Sequence, residues 1–396
     1  MKRTEAVVAF LMLCAMGALA QEPTLGEQHS KQGFLRRVVA FMDSSTVKGV
    51  DRRYLAAPKR PWQVILQGNV NQSSLHLTAT TPHAEQIFSF MQGDMTWEPR
   101  VKTRPAAYAG FWAGYRGYGL GYSWNVAGDN GRILTTGITG GSYGVNLRIH
   151  WFESDTPEAY FSGNALHDIT PQGEFVYTPL DYSETVELGS PISTRTLFLD
   201  AFYLFNGKRC SYAAAYNQSV LQRRSAGSLL AGAMCFHSTT RYDTDANADF
   251  ILLMNDVGCI KSWQASVGIG YIYNWVPAKG LLVSAMAIPM VTFYNHHKMW
   301  RYDSNLKDLV LEEGFDAYED FDESNYRIRP AANDAVVTSN SSAKLNIDAR
   351  LSVTYEWANR YFVNAYGQFN RFRFDISESS GRLTDWYVNA SMGVRF

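Results

Sequence analysis

The sequence carries almost no net charge: 36 Lys and Arg stand against 37 Asp and Glu, for −1 overall. That removes the basic surplus expected of a nucleic-acid binder. Charge of either sign is scarce, at 18% of residues, where an average soluble domain has roughly 25%. Cysteine is scarce too, four in 396 residues, which excludes a disulfide scaffold. Beyond the N-terminus no run of about 18 apolar residues exists for a membrane helix. The best stretch, Leu281 to Tyr294, is too short and carries Pro289. A chain like this can cross a membrane only as strands. What it does have is aromatics, 14% of residues, with 23 Tyr, 22 Phe and 10 Trp.

The first twenty residues predict an export signal. Lys2 and Arg3 precede an apolar stretch from Ala6 to Ala15, and Ala18-Leu19-Ala20 is a small-x-small triplet before Gln21. That order marks a cleaved secretory signal peptide over residues 1–20. Bulky Leu13 before Cys14 argues against lipoprotein processing. Removing Cys14 leaves Cys210, Cys235 and Cys259, whose spacing matches no zinc site and which read as small buried or wall residues.

The dominant pattern has period two. Leu345, Ile347, Ala349, Leu351, Val353, Tyr355 and Trp357 share one face; Lys344, Asn346, Asp348, Arg350, Ser352, Thr354 and Glu356 share the other. Tyr143–Trp151, Tyr118–Val126 and Trp263–Trp275 alternate in the same way. These runs exceed the usual five or six residues of a globular strand, and aromatics crowd their ends. A soluble sandwich or lipocalin-like barrel explains the alternation but not the terminal aromatics. A transmembrane barrel explains both, with an apolar outward band, aromatic girdles and a polar interior.

Short connections punctuate the strands. Asn206-Gly207-Lys208 predicts a hairpin between Thr194–Phe205 and Arg209–Gln218; Pro277–Gly280 and Ala358–Arg360 predict two more. Longer polar connections fall at about 154–192 and 296–342, and a strand around Phe250–Met254 is an open possibility. Short turns on the periplasmic side and long loops outside fit an antiparallel transmembrane barrel over residues 61–396, with an even count of about 12–14 strands. At the end of the chain Trp386, Val388, Ala390, Met392, Val394 and Phe396 alternate with polar and small residues, and the chain stops on the aromatic. This is the form of the C-terminal signal read by the outer-membrane barrel assembly machinery, which makes that machinery and outer-membrane lipid the expected partners.

Ahead of the barrel, Phe34, Leu35, Val38, Val39, Phe41 and Met42 follow helical spacing, so residues 21–60 are expected to form a periplasmic helical segment. Gly49-Val50-Asp51-Arg52-Arg53-Tyr54-Leu55 follows, then Pro58 and Pro61-Trp62. Downstream, Tyr212-Ala213-Ala214-Ala215-Tyr216-Asn217-Gln218-Ser219 leads to Gln222-Arg223-Arg224-Ser225-Ala226-Gly227-Ser228, and Pro289-Met290 sits in a later strand. These stretches resemble an uncharacterised outer-membrane β-barrel family of Bacteroidota, domain of unknown function family 4421, from about Asp51 to the end. The resemblance implies an outer-membrane barrel and supplies no catalytic residue. Read physically, Ser225–Ser228 allows close approach beside a tight turn. Gln222, Arg223 and Arg224 offer a polar latch, although a plain hairpin is the simpler expectation.

Motifs for chemistry are weak. Gly140-Gly141-Ser142-Tyr143-Gly144 matches G-x-S-x-G, but a strand follows where a nucleophile elbow needs a helix. His150, His167, His237, His296 and His297 are conceivable bases for a lipid-modifying barrel enzyme, with no spacing that selects a partner. His296 and His297 point to opposite faces and make a poor chelate. The acidic run Glu312 to Glu323 lacks the order of an EF-hand loop. No metal or cofactor is expected. The polar face supplies the site candidates: Arg148, Asp348, Arg350, Glu356, Arg371, Arg373 and Arg395 are placed in the lumen, with Asp375 beside them. Mixed signs favour a packed, closed interior over an anion channel. The expected function is that of a non-enzymatic outer-membrane barrel, a narrow pore or a structural or adhesive protein; the alternative is a lipid-modifying enzyme.

Overall fold

The computed structural model describes residues 37, 39–44, 49–81, 92–98, 100–154, 158–170, 172, 175–185, 188–242, 245–247, 257–304, 328–330, 336–340, 343–376 and 379–396. The chain divides into two units, residues 1–41 and 42–396. In the first, Arg37 and Val39–Phe41 are helical, as the spacing predicts; Phe34, Leu35 and Val38 lie outside the described residues.

The second unit is a closed antiparallel barrel. Its twelve strands are β1 (Trp62–Thr81), β2 (Ala106–Tyr115), β3 (Tyr118–Ala127), β4 (Arg132–Thr139), β5 (Tyr143–Ser154) and β6 (Ile192–Leu204). They continue with β7 (Ala226–Arg241), β8 (Val257–Ala278), β9 (Leu281–Ser304), β10 (Lys344–Trp357), β11 (Tyr361–Ile376) and β12 (Ser379–Arg395). Each pairs with the next, and β12 closes on β1. Closure runs to the last residue: the Phe396 amide donates to the Trp62 carbonyl at 3.0 Å, and the Trp62 amide donates back at 3.2 Å. A closed barrel leaves no unpaired strand edge, the condition for backbone in hydrocarbon.

Tight turns join strands at one end. Arg116 and Gly117 both have positive φ, 53° and 94°, the twist that suits a two-residue hairpin. Gly280 turns β8 into β9, and Ala358 and Asn359 turn β10 into β11, all at positive φ. At the other end the connections extend the wall. The hairpin Glu158–Ile169/Phe175–Thr185 rises between β5 and β6, and β9 continues to Ser304, past the expected loop start at 296. Residues 239–241 and 257–261 are the long-loop ends of β7 and β8, with a short 3-10 turn at Asp245–Asn247; Phe250–Met254 lies outside the described residues.

Alternation sorts side chains as the sequence predicts on β3, β8 and β10; on β5 Arg148 and His150 turn inward, but Leu147 and Ile149 of the apolar face are buried as well. Leu345, Leu351, Val353, Ile269 and Phe293 are exposed on the outside, while Asn346, Asp348, Arg350 and Ser352 are buried inside. The interior is not uniformly polar, however. Phe198, Phe202, Leu230, Met234, Phe236, Ile272, Met286, Ile288 and Phe372 face inward and pack as one cluster. On β7 and β9 both faces are therefore apolar, one for lipid and one for this cluster. That explains the apolar run Leu281–Tyr294, which is too short for a helix yet too continuous for a one-sided strand.

One expected hairpin is wrong. After β6 the chain does not form a strand over Arg209–Gln218. Residues 205–225 instead form an insertion at the tight-turn end, containing helix α1 (Tyr212–Tyr216) capped by the Ser211 hydroxyl. Three consecutive alanines favour helix, and Tyr212 and Tyr216 one turn apart share a face, so a local helix overrides the strand reading.

Leu351 is 56% exposed on the outer face and its neighbour Ser352 is 1% exposed inside. Leu351→Arg should destabilise the bilayer-reconstituted barrel by about 2–4 kcal/mol. A cysteine placed at 351 should react with lipid-soluble thiol reagents, and one at 352 with neither lipid-soluble nor aqueous reagents. Aqueous labelling at 351 would place that face outside the bilayer.

Candidate functional site

The candidate site is the lumen, occupied at its tight-turn end by α1. Tyr212, Ala213, Ala214 and Ala215 are all buried. Around the helix a ring of side chains from different strands binds its backbone and hydroxyls. Ser352 on β10 donates to the Ala215 carbonyl at 2.6 Å, and Gln63 on β1 donates to the Asn217 carbonyl at 2.7 Å. Arg395 on β12 donates to the Gln218 carbonyl at 2.7 Å, and the Asn217 amide donates to the Thr139 hydroxyl on β4. A helix this short leaves most of its carbonyls without internal partners; wall side chains donate to that of Ala215 and to those of Asn217 and Gln218 just beyond the helix end.

The polar latch is formed by Gln222 alone. Its Oε1 accepts from the Ser211 amide (3.2 Å) and from Asn274 on β8 (3.0 Å), while its Nε2 donates to the carbonyls of Arg209 (2.7 Å) and Arg224 (2.8 Å). Arg223 and Arg224 point outward and are exposed. Leu55–Ala56 pairs with Leu221–Gln222 and ties the stretch before β1 to the insertion. Cys210 is enclosed beneath it, and burial pushes its thiol up to about 12. None of Cys210, Cys235 and Cys259 forms a disulfide.

Five of the seven lumenal candidates lie inside. Arg350 is the hub. Its guanidinium meets Asp348 at 2.7 Å, Asp200 on β6 at 3.2 Å and the Tyr212 hydroxyl of α1 at 2.5 Å. Arg148 bonds Asp385 on β12 at 2.5 Å and lies over the rings of Phe198 and Tyr387. Ser73 donates to the other Asp385 oxygen at 2.7 Å. Arg395 bonds Glu356 at 2.8 Å. Asp200, Asp385 and Tyr212 escaped the sequence reading, although an aspartate between Leu199 and Ala201 in an apolar strand was a usable signal.

Arg371 and Arg373 are not lumenal. Phe362, Asn364, Asn370 and Phe372 are the buried residues of β11, so the odd positions Tyr361, Val363, Phe369, Arg371 and Arg373 face outward. Charge suggested the lumen, but register places them outside. The side chain of Asp375 lies outside the described set, as do that of His167 and the run Glu312 to Glu323.

Two cavities lie within the lumen among the described residues. The larger, about 170 Å³, lies against α1 and is lined by Trp112, Arg148, Phe198, Tyr366 and Tyr387 among others. The smaller, about 40 Å³, lies toward the long loops and is floored by Phe152, Phe236 and Phe372. Between them Phe198, Phe236 and Phe372 touch, with ring centroids 4.8, 4.9 and 5.7 Å apart. This is an apolar partition of the kind that excludes water from a narrow path.

The structure also brings together a serine, a histidine and an asparagine that sequence spacing could not select. His297 Nδ1 lies 2.9 Å from the Ser262 hydroxyl, and its Nε2 lies 2.6 Å from Asn295 Oδ1. The order is that of nucleophile, base and orienting group, but the setting lacks what acyl transfer needs. Ser262 pairs with Ser238 on one side and His297 on the other, so its main chain is committed to two ladders, whereas an oxyanion hole needs free donors. His297 is fully buried, and the adjoining cavity has room for a few waters only. His296 faces outward beside Trp263. Among the described residues no three His, Cys, Asp or Glu side chains gather as a metal site.

Removing Arg350 strands two carboxylates, Asp348 and Asp200, in the lumen. Arg350→Ala should lower unfolding stability by about 3–5 kcal/mol, read as a fall in the thermal midpoint in detergent. Arg350→Met combined with Asp348→Asn should lose less. An unchanged midpoint in the single variant would mean that water already solvates this face.

No curated protein matches the chain in sequence. Among solved structures it is similar to the translocator domain of the autotransporter NalP from Neisseria meningitidis, at 9% identity and TM-score 0.32, covering 92% of this chain and 95% of that one. It is similar to the beta domain of the Bordetella autotransporter BrkA, at 10% identity and TM-score 0.27, covering 83% and 99%. The Pseudomonas putida toluene transporter TodX follows at 8% identity and TM-score 0.25, covering 86% and 91%. At these scores the likeness carries no argument about what this chain does. The sequence family is more informative: residues 97–396 match the Domain of unknown function (DUF4421). The match begins at Trp97, so Asp51–Leu55 and β1 precede it, while α1, Gln222 and β12 fall within it. With well over half of its length matched, the chain belongs to this uncharacterised domain family, DUF4421.

Proposed function

We propose that the protein is a non-enzymatic outer-membrane barrel that forms a narrow pore closed at rest, with the 205–225 insertion as its plug. In this reading residues 1–20 direct export, the assembly machinery recognises the strand ending at Phe396, and the tight-turn end faces the periplasm. The observation that carries the proposal is the way α1 is held. It is lodged inside the barrel, yet side-chain hydrogen bonds and Tyr212–Arg350 fasten it, and a 170 Å³ cavity lies against it. A purely structural barrel needs no insertion to fill its end. A pore that must not leak needs a removable one. The three touching phenylalanines supply a second barrier on the same path.

An enzyme built on this barrel would have to use the Ser262–His297–Asn295 group, which faces a cavity too small for an acyl chain. The observations therefore support a pore over a lipid-modifying activity.

The test is single-channel recording on the purified full-length chain in planar bilayers, after fractionation shows it in outer membranes without residues 1–20. The wild type should be silent or conduct in rare, small steps. A variant with residues 208–223 replaced by a short glycine turn, combined with Phe198→Ala and Phe372→Ala to remove the second barrier, should give stable open channels while keeping barrel heat-modifiability. A folded deletion variant that stays silent would favour a structural barrel.

A further inference from the structure

The outer surface carries cations where a membrane barrel carries apolar side chains. Arg132 on β4, Arg195 on β6, Lys261 on β8 and Lys298 on β9 all occupy outward positions. They also stand in one row. Arg132 pairs across the sheet with Trp151, Trp151 with Arg195, Arg195 with Thr239, Thr239 with Lys261, and Lys261 with Lys298. One step toward the tight-turn end the outward residues are Leu134, Ile149, Leu197, His237, Trp263 and His296. The row therefore marks the edge of the apolar band on the long-loop side.

Three features point to an anion. Lys261 and Lys298 face each other directly across a ladder, a placement that destabilises a sheet when nothing lies between the charges. Among the described residues no carboxylate pairs with any of the four cations; Glu153, the nearby outward acid on β5, accepts from Asn130 instead. Aromatic rings pre-position the heads: Arg132 and Arg195 lie 5.1 and 5.5 Å from the Trp151 ring centre, and Lys261 lies 4.4 Å from that of Trp300. Guanidinium groups stacked on a ring keep their N–H edges free for oxyanions. Arg371 and Arg373 extend the same chemistry on β11, beyond Phe369.

We propose that Arg132, Arg195, Lys261 and Lys298 form a docking row for the phosphate-bearing headgroup of an outer-leaflet lipid. The anion must be amphiphilic, because the row borders an apolar, aromatic band on one side only. A soluble phosphate would gain nothing from that band. The inference rests on the membrane orientation proposed above.

The test uses the full chain in phosphatidylcholine nanodiscs, with native mass spectrometry counting bound lipid as diphosphorylated lipid A is titrated in. The wild type should bind it in a salt-sensitive manner. The triple variant Arg195→Gln, Lys261→Gln, Lys298→Gln should bind about 100-fold more weakly. Arg223→Gln with Arg224→Gln, at the opposite end, should bind as the wild type does. Equal binding by the triple variant would overturn the proposal, as would equal binding of a dephosphorylated glycolipid. Inorganic phosphate that displaces the lipid at equal concentration would reduce the row to a simple ion site and also overturn it. A chain that does not insert into nanodiscs at all would fail the membrane reading itself.

Discussion

A guanidinium buried in a barrel must gather its partners from the side chains around it, and the arrangement of the lumen follows from that constraint. Arg350 sits on the inner face of β10 and is buried. An isolated charge there would cost several kcal/mol, so it must gather acceptors from whatever reaches it. Those acceptors come from its own strand (Asp348), from β6 (Asp200) and from α1 (Tyr212). Satisfying one charge thus joins three elements and draws the insertion into the barrel mouth. Arg148 with Asp385 and Arg395 with Glu356 repeat the device at other positions. A wide pore could leave such groups hydrated along its wall; here they meet one another.

The outside obeys a different solvent. Outward residues on β8 run from Trp275 through Tyr273, Tyr271, Ile269 and Val267 to Trp263 and then change to Lys261. In the proposed membrane orientation that change marks where hydrocarbon gives way to headgroups, because a lysine further down the strand would face lipid at a cost of about 2–4 kcal/mol. The lumenal Arg148, Arg350 and Arg395 are neutralised by the protein's own carboxylates, whereas the outward Arg132 and Arg195 have no carboxylate partner among the described residues. The same residue type therefore does opposite jobs on the two faces of one strand wall.

Much of this was legible in the sequence, for a physical reason. A strand between lipid and a polar lumen must alternate, and β3, β8 and β10 show the pattern without ambiguity. The legible part ended where both faces of a strand share one chemistry. β7 and β9 are apolar inside as well as outside, so the inward cluster around Phe236 and Met290 left no alternating trace. Arg371 and Arg373 mislead because charge alone points to the lumen. The count from Tyr361 through Val363 and Phe369 puts them outside. Helix α1 was hidden by its length: five residues carry too little periodicity to compete with an Asn-Gly turn signal beside them. The contacts of Asp200, Asp385 and Ser262 were invisible because they depend on which strands become neighbours, and one strand's sequence does not state that.

The account stands on the contact between the plug and the wall, and a direct reading of it is a solid-state NMR correlation in lipid bilayers. With the protein labelled in 15N and 13C, the Arg350 guanidinium nitrogens should give a strong through-space cross-peak to the Tyr212 phenol carbon, consistent with the 2.5 Å hydrogen bond. The Tyr212 hydroxyl proton should exchange slowly with water. No cross-peak, together with a Tyr212 hydroxyl in fast exchange, would mean that α1 lies outside the lumen and that the barrel is open.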